Sequence, residues 1–222
     1  MLSIIIPTFN EAETIRPSLE ALQVYRHRGH EIIVCDGGSS DNTVNRTQGL
    51  CDTIITTDRG RARQMNAGAK AASGDIFIFV HADTRLPATA DRLICLSLQK
   101  NNWGFFKARL DGGNILYRII ELLMNLRSRS SLIATGDQAL YLRRTLFETI
   151  GGYPDIDIME DIALCRRLKI TGQRPGFIST PVTTSSRRWE KDGVMKTILL
   201  MWHLRLAYFL GADPSKLAKL YH

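Results

Sequence analysis

The stretch EIIVCDGGSSDNT, residues 31–43, decides the fold: an apolar run ends in an acid, two glycines follow, and then come residues able to cap a helix. A short apolar run bounded by turn residues reads as a buried strand, and cap residues straight after it start a helix. Upstream, LSIIIPT (2–8) is a second such run, followed over 11–25 by Ile15, Leu19 and Leu22 on one helix face. Downstream come a strand at DTIITT (52–57), an Ala-rich helix over 61–72 and a strand at DIFIFVHAD (75–83). Strands alternating with helices give a parallel sheet covered by helices. The expected fold is α/β, a single Rossmann-like domain with a mainly parallel central sheet flanked by helices.

The second half is less regular. Helices are expected over 88–99, 115–126 and 162–171, with strands near 104–110, 137–142 and 175–178. Residues 194–210 are apolar nearly all round, with Lys196, His203 and Arg205 the ionisable positions, so this helix must be buried or covered by something else. Gly211 reads as its stop, and Asp213-Pro214 as the start of a last short helix. The chain is expected to divide into a nucleotide-binding half (1–110), a second half (111–193) and C-terminal helices (194–222).

With 222 residues and 44% hydrophobic content, one compact domain is expected. The net charge of +7 favours anionic partners, although most arginines and lysines simply coat a surface. A nucleic-acid-binding role is disfavoured, because acidic groups recur at the strand ends where phosphate would lie. Cys35, Cys51, Cys95 and Cys165 form no CxxC pair, which gives neither a zinc spacing nor a small disulfide framework. The first residues lack a basic n-region and a small-residue cleavage site, and no apolar run reaches the length of a membrane span. A cytoplasmic location is expected, with association at the inner face of the cell membrane left open.

Ligands of open α/β sheets bind beyond the carboxyl ends of the strands. Three strands here end in polar residues: Pro7-Thr8-Phe9-Asn10 with Glu11 after it, Asp36-Gly37-Gly38, and His81-Ala82-Asp83. Asp36 is placed to accept hydrogen bonds from a base or ribose, with Gly38 allowing close backbone approach, or else to cap the turn. Asp83 suits Mg²⁺ or Mn²⁺ held against a diphosphate, or caps the next helix. Glu160-Asp161 opens a helix, where acids favour the N-terminus; a carboxylate there can also serve as general base. RGRARQMNAGA offers Arg61 and Asn66, and RRW offers Arg188 beside an indole, for phosphate or ring contacts.

Taken in order, SIIIPTFNEAETI, IIVCDGGSSDNT, RGRARQMNAGAKAASGDIFIFVHADT, GDQALYLRRTLFETIGGYP and MEDIALCRRL resemble the family 2 glycosyltransferases, specifically a small non-processive bacterial-type subgroup. The resemblance covers residues 1 to about 170 and implies the A-type glycosyltransferase fold. It implies a nucleotide-sugar donor (UDP-, GDP- or dTDP-linked) and a hydroxyl acceptor. Pro7 and Asp36 would contact the base, the Arg61 stretch would lie near the nucleotide, Asp83 would bind the metal and Asp161 would be the catalytic base of an inverting displacement. Two departures stand out. The family's Asp-x-Asp is His81-Ala82-Asp83 here, so His81 either replaces the first Asp or serves the metal. Its processive Gln-x-x-Arg-Trp is SSRRW without a span, which implies transfer of single sugars. The readings left open for 194–222 are a membrane surface serving a lipid-linked acceptor, packing on the sheet, and a homodimer contact. The rival enzyme is a nucleotidyltransferase, whose Gly-rich N-terminal phosphate loop PTFNEAE does not resemble.

Overall fold

The computed structural model describes residues 1–221, apart from the side chains of Arg188 and Asp192. The expected role of Arg188 therefore lies outside the described residues. The chain forms β1 (Leu2–Thr8), α1 (Ile15–Arg26), β2 (Glu31–Asp36), α2 (Thr43–Thr47), β3 (Thr53–Thr56), α3 (Arg61–Ala71) and β4 (Ile76–Phe79). There follow α4 (Ala90–Ser97), β5 (Trp103–Leu110), α5 (Ile115–Ser131), β6 (Tyr141–Arg143), α6 (Arg144–Thr149) and α7 (Glu160–Ile170). The last elements are β7 (Gly176–Thr184), α8 (Arg187–Asp192), α9 (Val194–Phe209) and α10 (Pro214–Tyr221).

One seven-stranded sheet runs in the order β3-β2-β1-β4-β6-β5-β7. Only β6 is antiparallel to its neighbours, so the sheet is mixed but mostly parallel, the expected fold class. Strand β1 is buried over its whole length because helices cover both faces. Ile4, Ile6, Ile32 and Val34 pack with Ile15, Leu19 and Ile94 on one side. Ile5, Ile33, Phe77 and Phe79 pack with Met65, Phe147 and Leu164 on the other. On that second side α3 lies so close that a Cβ on Gly68 would come within 2.5 Å of Ile5 and 2.6 Å of Cys35.

Several boundaries differ from the sequence expectation. Strand β4 stops at Phe79, because the chain turns at His81, whose carbonyl accepts from Thr84 N at 3.0 Å. The strand expected over 137–142 is a 3₁₀ turn at Gly136–Gln138 followed by a three-residue β6. Strand β7 runs on to Thr184, and α6 and α8 were not expected.

The short β6 has a consequence for α5. It pairs with β5 only at Trp103 and Gly104, which leaves the upper β5 edge without a strand neighbour on that side. Helix α5 fills the gap with polar side chains. Asn125 accepts from Ala108 N and donates to Ala108 O, both at 2.9 Å, and Glu121 accepts from Leu110 N at 2.7 Å. Buried backbone groups need partners, so the inward face of α5 must be polar here.

Candidate active site

A cavity of about 270 Å³ opens beyond the carboxyl ends of β1 and β4. Its walls are Pro7, Thr8, Phe9 and Glu11 after β1, Arg59, Gly60, Arg61 and Gln64 at the start of α3, and His81, Ala82 and Asp83 after β4. Asp157 and Ile158 close it from before α7, and Ala218 and Tyr221 from α10. Sequence reasoning missed Gln64, whose buried amide donates to the carbonyls of Thr8 (2.6 Å) and Cys35 (2.7 Å) and so ties the ends of β1 and β2 together.

Asp36 is held by the turn it precedes. It accepts from Gly38 N (2.9 Å), Ser39 N (2.8 Å), Thr8 Oγ1 (3.3 Å) and the Ser39 hydroxyl. The turn needs Gly38 at φ 81°, a conformation that side chains disfavour. The carboxylate is buried and outside the cavity lining, so in this geometry Asp36 shapes the loop and the cap reading describes its bonds. Asn10 likewise braces that loop, donating from its backbone to Ser39 Oγ (2.8 Å) and accepting from Ser40 N (2.9 Å).

Asn66 lies away from the cavity. Its side chain donates to Tyr153 O at 2.8 Å and accepts from Tyr153 N at 2.9 Å, pinning the loop before α7. Five residues separate it from Arg61, which sets the two about 140° apart around a helix. Asn66→Ala should therefore cost stability, about 1–3 kcal/mol for the backbone groups left unpaired. Denaturant unfolding would show this loss, and ligand affinity at the cavity should change far less, because Asn66 itself lines no part of it.

Asp83 is fixed by its neighbours: Arg85 and Thr183 exchange backbone bonds at 2.7 and 3.0 Å, bringing the end of β7 to the cavity. Arg187 then reaches Glu11 at 3.1 Å and Asp83 at 3.7 Å. Burial, Asp137 and Glu11 push the Asp83 carboxyl up, while His81 and Arg187 oppose them. Asp83 and Glu11 thus share one arginine, with the charge of Asp137 also felt at Asp83. Among the described residues no three His, Cys, Asp or Glu side chains form a ready metal cage. A cation that also takes diphosphate oxygens needs only one or two protein carboxylates, and Asp83 with its acidic surroundings fits that donor set.

His81 is partly buried, and its Nε2 has no hydrogen-bond partner among the described residues. Burial and then Arg61 pull its pKa down to about 4, so the ring is neutral near pH 7. It packs on Gly136, where a Cβ would strike the imidazole and come within 3.1 Å of Asp161 Oδ2. The glycine lets the imidazole after β4 and the carboxylate at the start of α7 approach one point.

Asp161 stands behind the cavity wall in the first turn of α7. Burial and the adjacent Glu160 push its pKa up to about 8, against the opposing pull of Arg61 and of the Gly136 backbone N–H. Arg61 itself is a fixed cation: burial works against its charge, but Glu160 at 3.6 Å, Tyr221 and Asp161 hold its pKa above the ordinary arginine value. Asp137, read from the sequence only as strand, lies 3.9 Å from His81 Nδ1, and its charge raises both Asp83 and Asp161. A carboxylate near neutrality beside a cleft is suited to accept a proton.

Known proteins resemble the chain in sequence and in fold. The sequence model described as Glycosyl transferase family 2 matches residues 3–147. An uncharacterized glycosyltransferase of Mycobacterium tuberculosis is 30% identical over 173 residues, covering 70% of this chain and 63% of the relative. The Escherichia coli UDP-Glc:alpha-D-GlcNAc-diphosphoundecaprenol beta-1,3-glucosyltransferase WfgD is 30% identical over 110 residues, covering 47% of this chain and 44% of that enzyme. The chain thus spans less than two thirds of the length of these relatives. The mannosyltransferase PcManGT from Pyrobaculum calidifontis, in complex with GDP-Man and Mn²⁺, shares the fold, with TM-score 0.67 and 21% identity over 99% of this chain and 68% of that one.

Proposed function

Because the chain belongs to glycosyl transferase family 2, we propose that it moves one sugar from a nucleotide-sugar donor to a hydroxyl acceptor with inversion at the anomeric carbon. The observation that carries this reading is the pairing of a carboxylate of raised pKa, Asp161, with an acid-rich cavity at Asp83 on the carboxyl edge of one sheet.

The nucleotide would lie along Pro7 and Thr8, with the 36–39 turn held in shape by Asp36, and its diphosphate between Arg61 and Arg187. Mg²⁺ or Mn²⁺ at Asp83 would neutralise charge on the departing diphosphate. Asp161 takes the proton of the acceptor hydroxyl as that oxygen attacks the anomeric carbon. The bond from this carbon to the phosphate oxygen breaks, and the nucleoside diphosphate leaves with the electron pair. His81, neutral and against Gly136, offers a ring nitrogen to a donor hydroxyl without adding charge. An acceptor carried on a lipid diphosphate fits this reading and has a parallel in the substrate in WfgD's name.

The test is a thermal-shift panel of UDP-, GDP- and dTDP-sugars with and without Mn²⁺, because selective stabilisation reports binding directly. One nucleotide class should raise the melting temperature, and by clearly more when the cation is present. A nucleoside triphosphate with a sugar phosphate should yield no nucleotide sugar; formation of one would establish the nucleotidyltransferase instead.

A further inference from the structure

Helices α5 and α9 are apolar on the side that faces away from the sheet. On α5, Ile115, Leu116, Ile119, Leu122, Leu123 and Leu126 are each 46–72% exposed and form one helical stripe, while the inward positions hold Glu121 and Asn125 against β5. This reverses the usual amphipathic helix, whose apolar stripe faces the core. On α9 the inward Leu204 packs with Ile158 and Leu217, and Leu199, Trp202, Leu206 and Phe209 are 59–74% exposed on the outer side. The helices lie side by side: Tyr117, Ile120 and Met124 share a cluster with Val194 and Ile198, and Arg127 and Arg205 repel one another. Contiguous exposed apolar surface of this extent marks an interaction site.

Charge selects the occupant. The two helices carry Arg118, Arg127, Arg129, Lys196 and Arg205 against one acid, Glu121, which is buried against β5 and pairs with Arg118 at 2.6 Å; Arg127 and Arg205 are half-buried, and Arg129 and Lys196 are exposed. A second copy would set the same uncompensated cations face to face, whereas an anionic bilayer surface matches both the apolar stripes and the excess of positive charge. Among the described residues no helix is long and apolar enough to cross a membrane. We propose that the chain docks on an anionic lipid surface through the paired outer faces of α5 and α9, which lie in the interface plane. The proposal stands on these exposed faces and is independent of the sugar-transfer reading.

The test is sedimentation of the whole chain with vesicles of phosphatidylcholine and phosphatidylglycerol, with phosphatidylcholine vesicles alone for comparison, while light scattering records oligomeric state. The protein should bind the anionic vesicles, with a blue shift of Trp202 emission and weakening at high salt. Leu122→Ser with Leu123→Ser, and separately Trp202→Ser with Leu206→Ser, should each cut partitioning at least about tenfold. The replaced side chains are exposed, so melting and nucleotide-sugar stabilisation should stay unchanged. Absence of vesicle binding by the unaltered protein overturns the proposal. So does a dimer that the same substitutions dissociate without any vesicle binding, since the faces would then belong to a second copy. Vesicle binding without sugar transfer would refute the enzymatic reading alone.

Discussion

Asp161→Asn should lower the turnover of sugar transfer about 10²–10⁴-fold, the usual contribution of a positioned general base, and leave donor affinity nearly unchanged. The amide keeps the size of the side chain and its place beside Gly136 but cannot take a proton. The pH profile makes the test specific. A base must be deprotonated, and burial with Glu160 pushes Asp161 up to about 8, so turnover in the unaltered protein should climb as pH rises through that value. Stability runs the other way. A carboxyl whose folded pKa is raised contributes stability that is fully present below its unfolded value and is lost as pH rises through about 8. The Asn variant escapes this loss, so above that pH it should melt no lower than the unaltered protein. A variant that kept both turnover and its pH dependence would require another base.

Asp83→Ala should abolish the cation-dependent part of donor binding, a loss of about 10²-fold or more for removal of a charged ligand at a diphosphate site. Titration calorimetry of the matching nucleotide sugar, with and without Mn²⁺, would measure it. The difference between the two titrations should vanish in the variant, while weak cation-independent binding through Arg61 and Arg187 persists. If Mn²⁺ strengthened binding equally in the variant, Glu11 or Asp137 would be the ligand and Asp83 a structural acid.

Much of this was legible in the chain because apolar runs and cap residues act locally. Strands β1 and β2 fall where LSIIIPT and EIIVCD place them. What failed depended on partners distant in sequence. The end of β4 is set by a turn at His81, which apolar content does not reveal. Asp137 acquires its importance only when Gly136 brings it beside His81 and Asp161. Asn66 was grouped with Arg61 by motif, although helix geometry already separated them; Gln64, three residues from Arg61, sits on the nearer face and lines the cavity. The polar inner side of α5 follows from the shortness of β6, and no periodicity in residues 115–126 reports a missing strand neighbour.

The bridge made by Arg187 changes how the pocket should fill. With Glu11 and Asp83 already sharing a guanidinium, an incoming divalent ion meets a resident competitor of its own sign. A bound diphosphate would draw that arginine toward itself and release the carboxylates. Each ligand would thereby remove an obstacle to the other, and their affinities should rise together by the same factor. On the proposed reading the resting site is a charge exchanger, weakly responsive to either ligand alone and strongly to the pair.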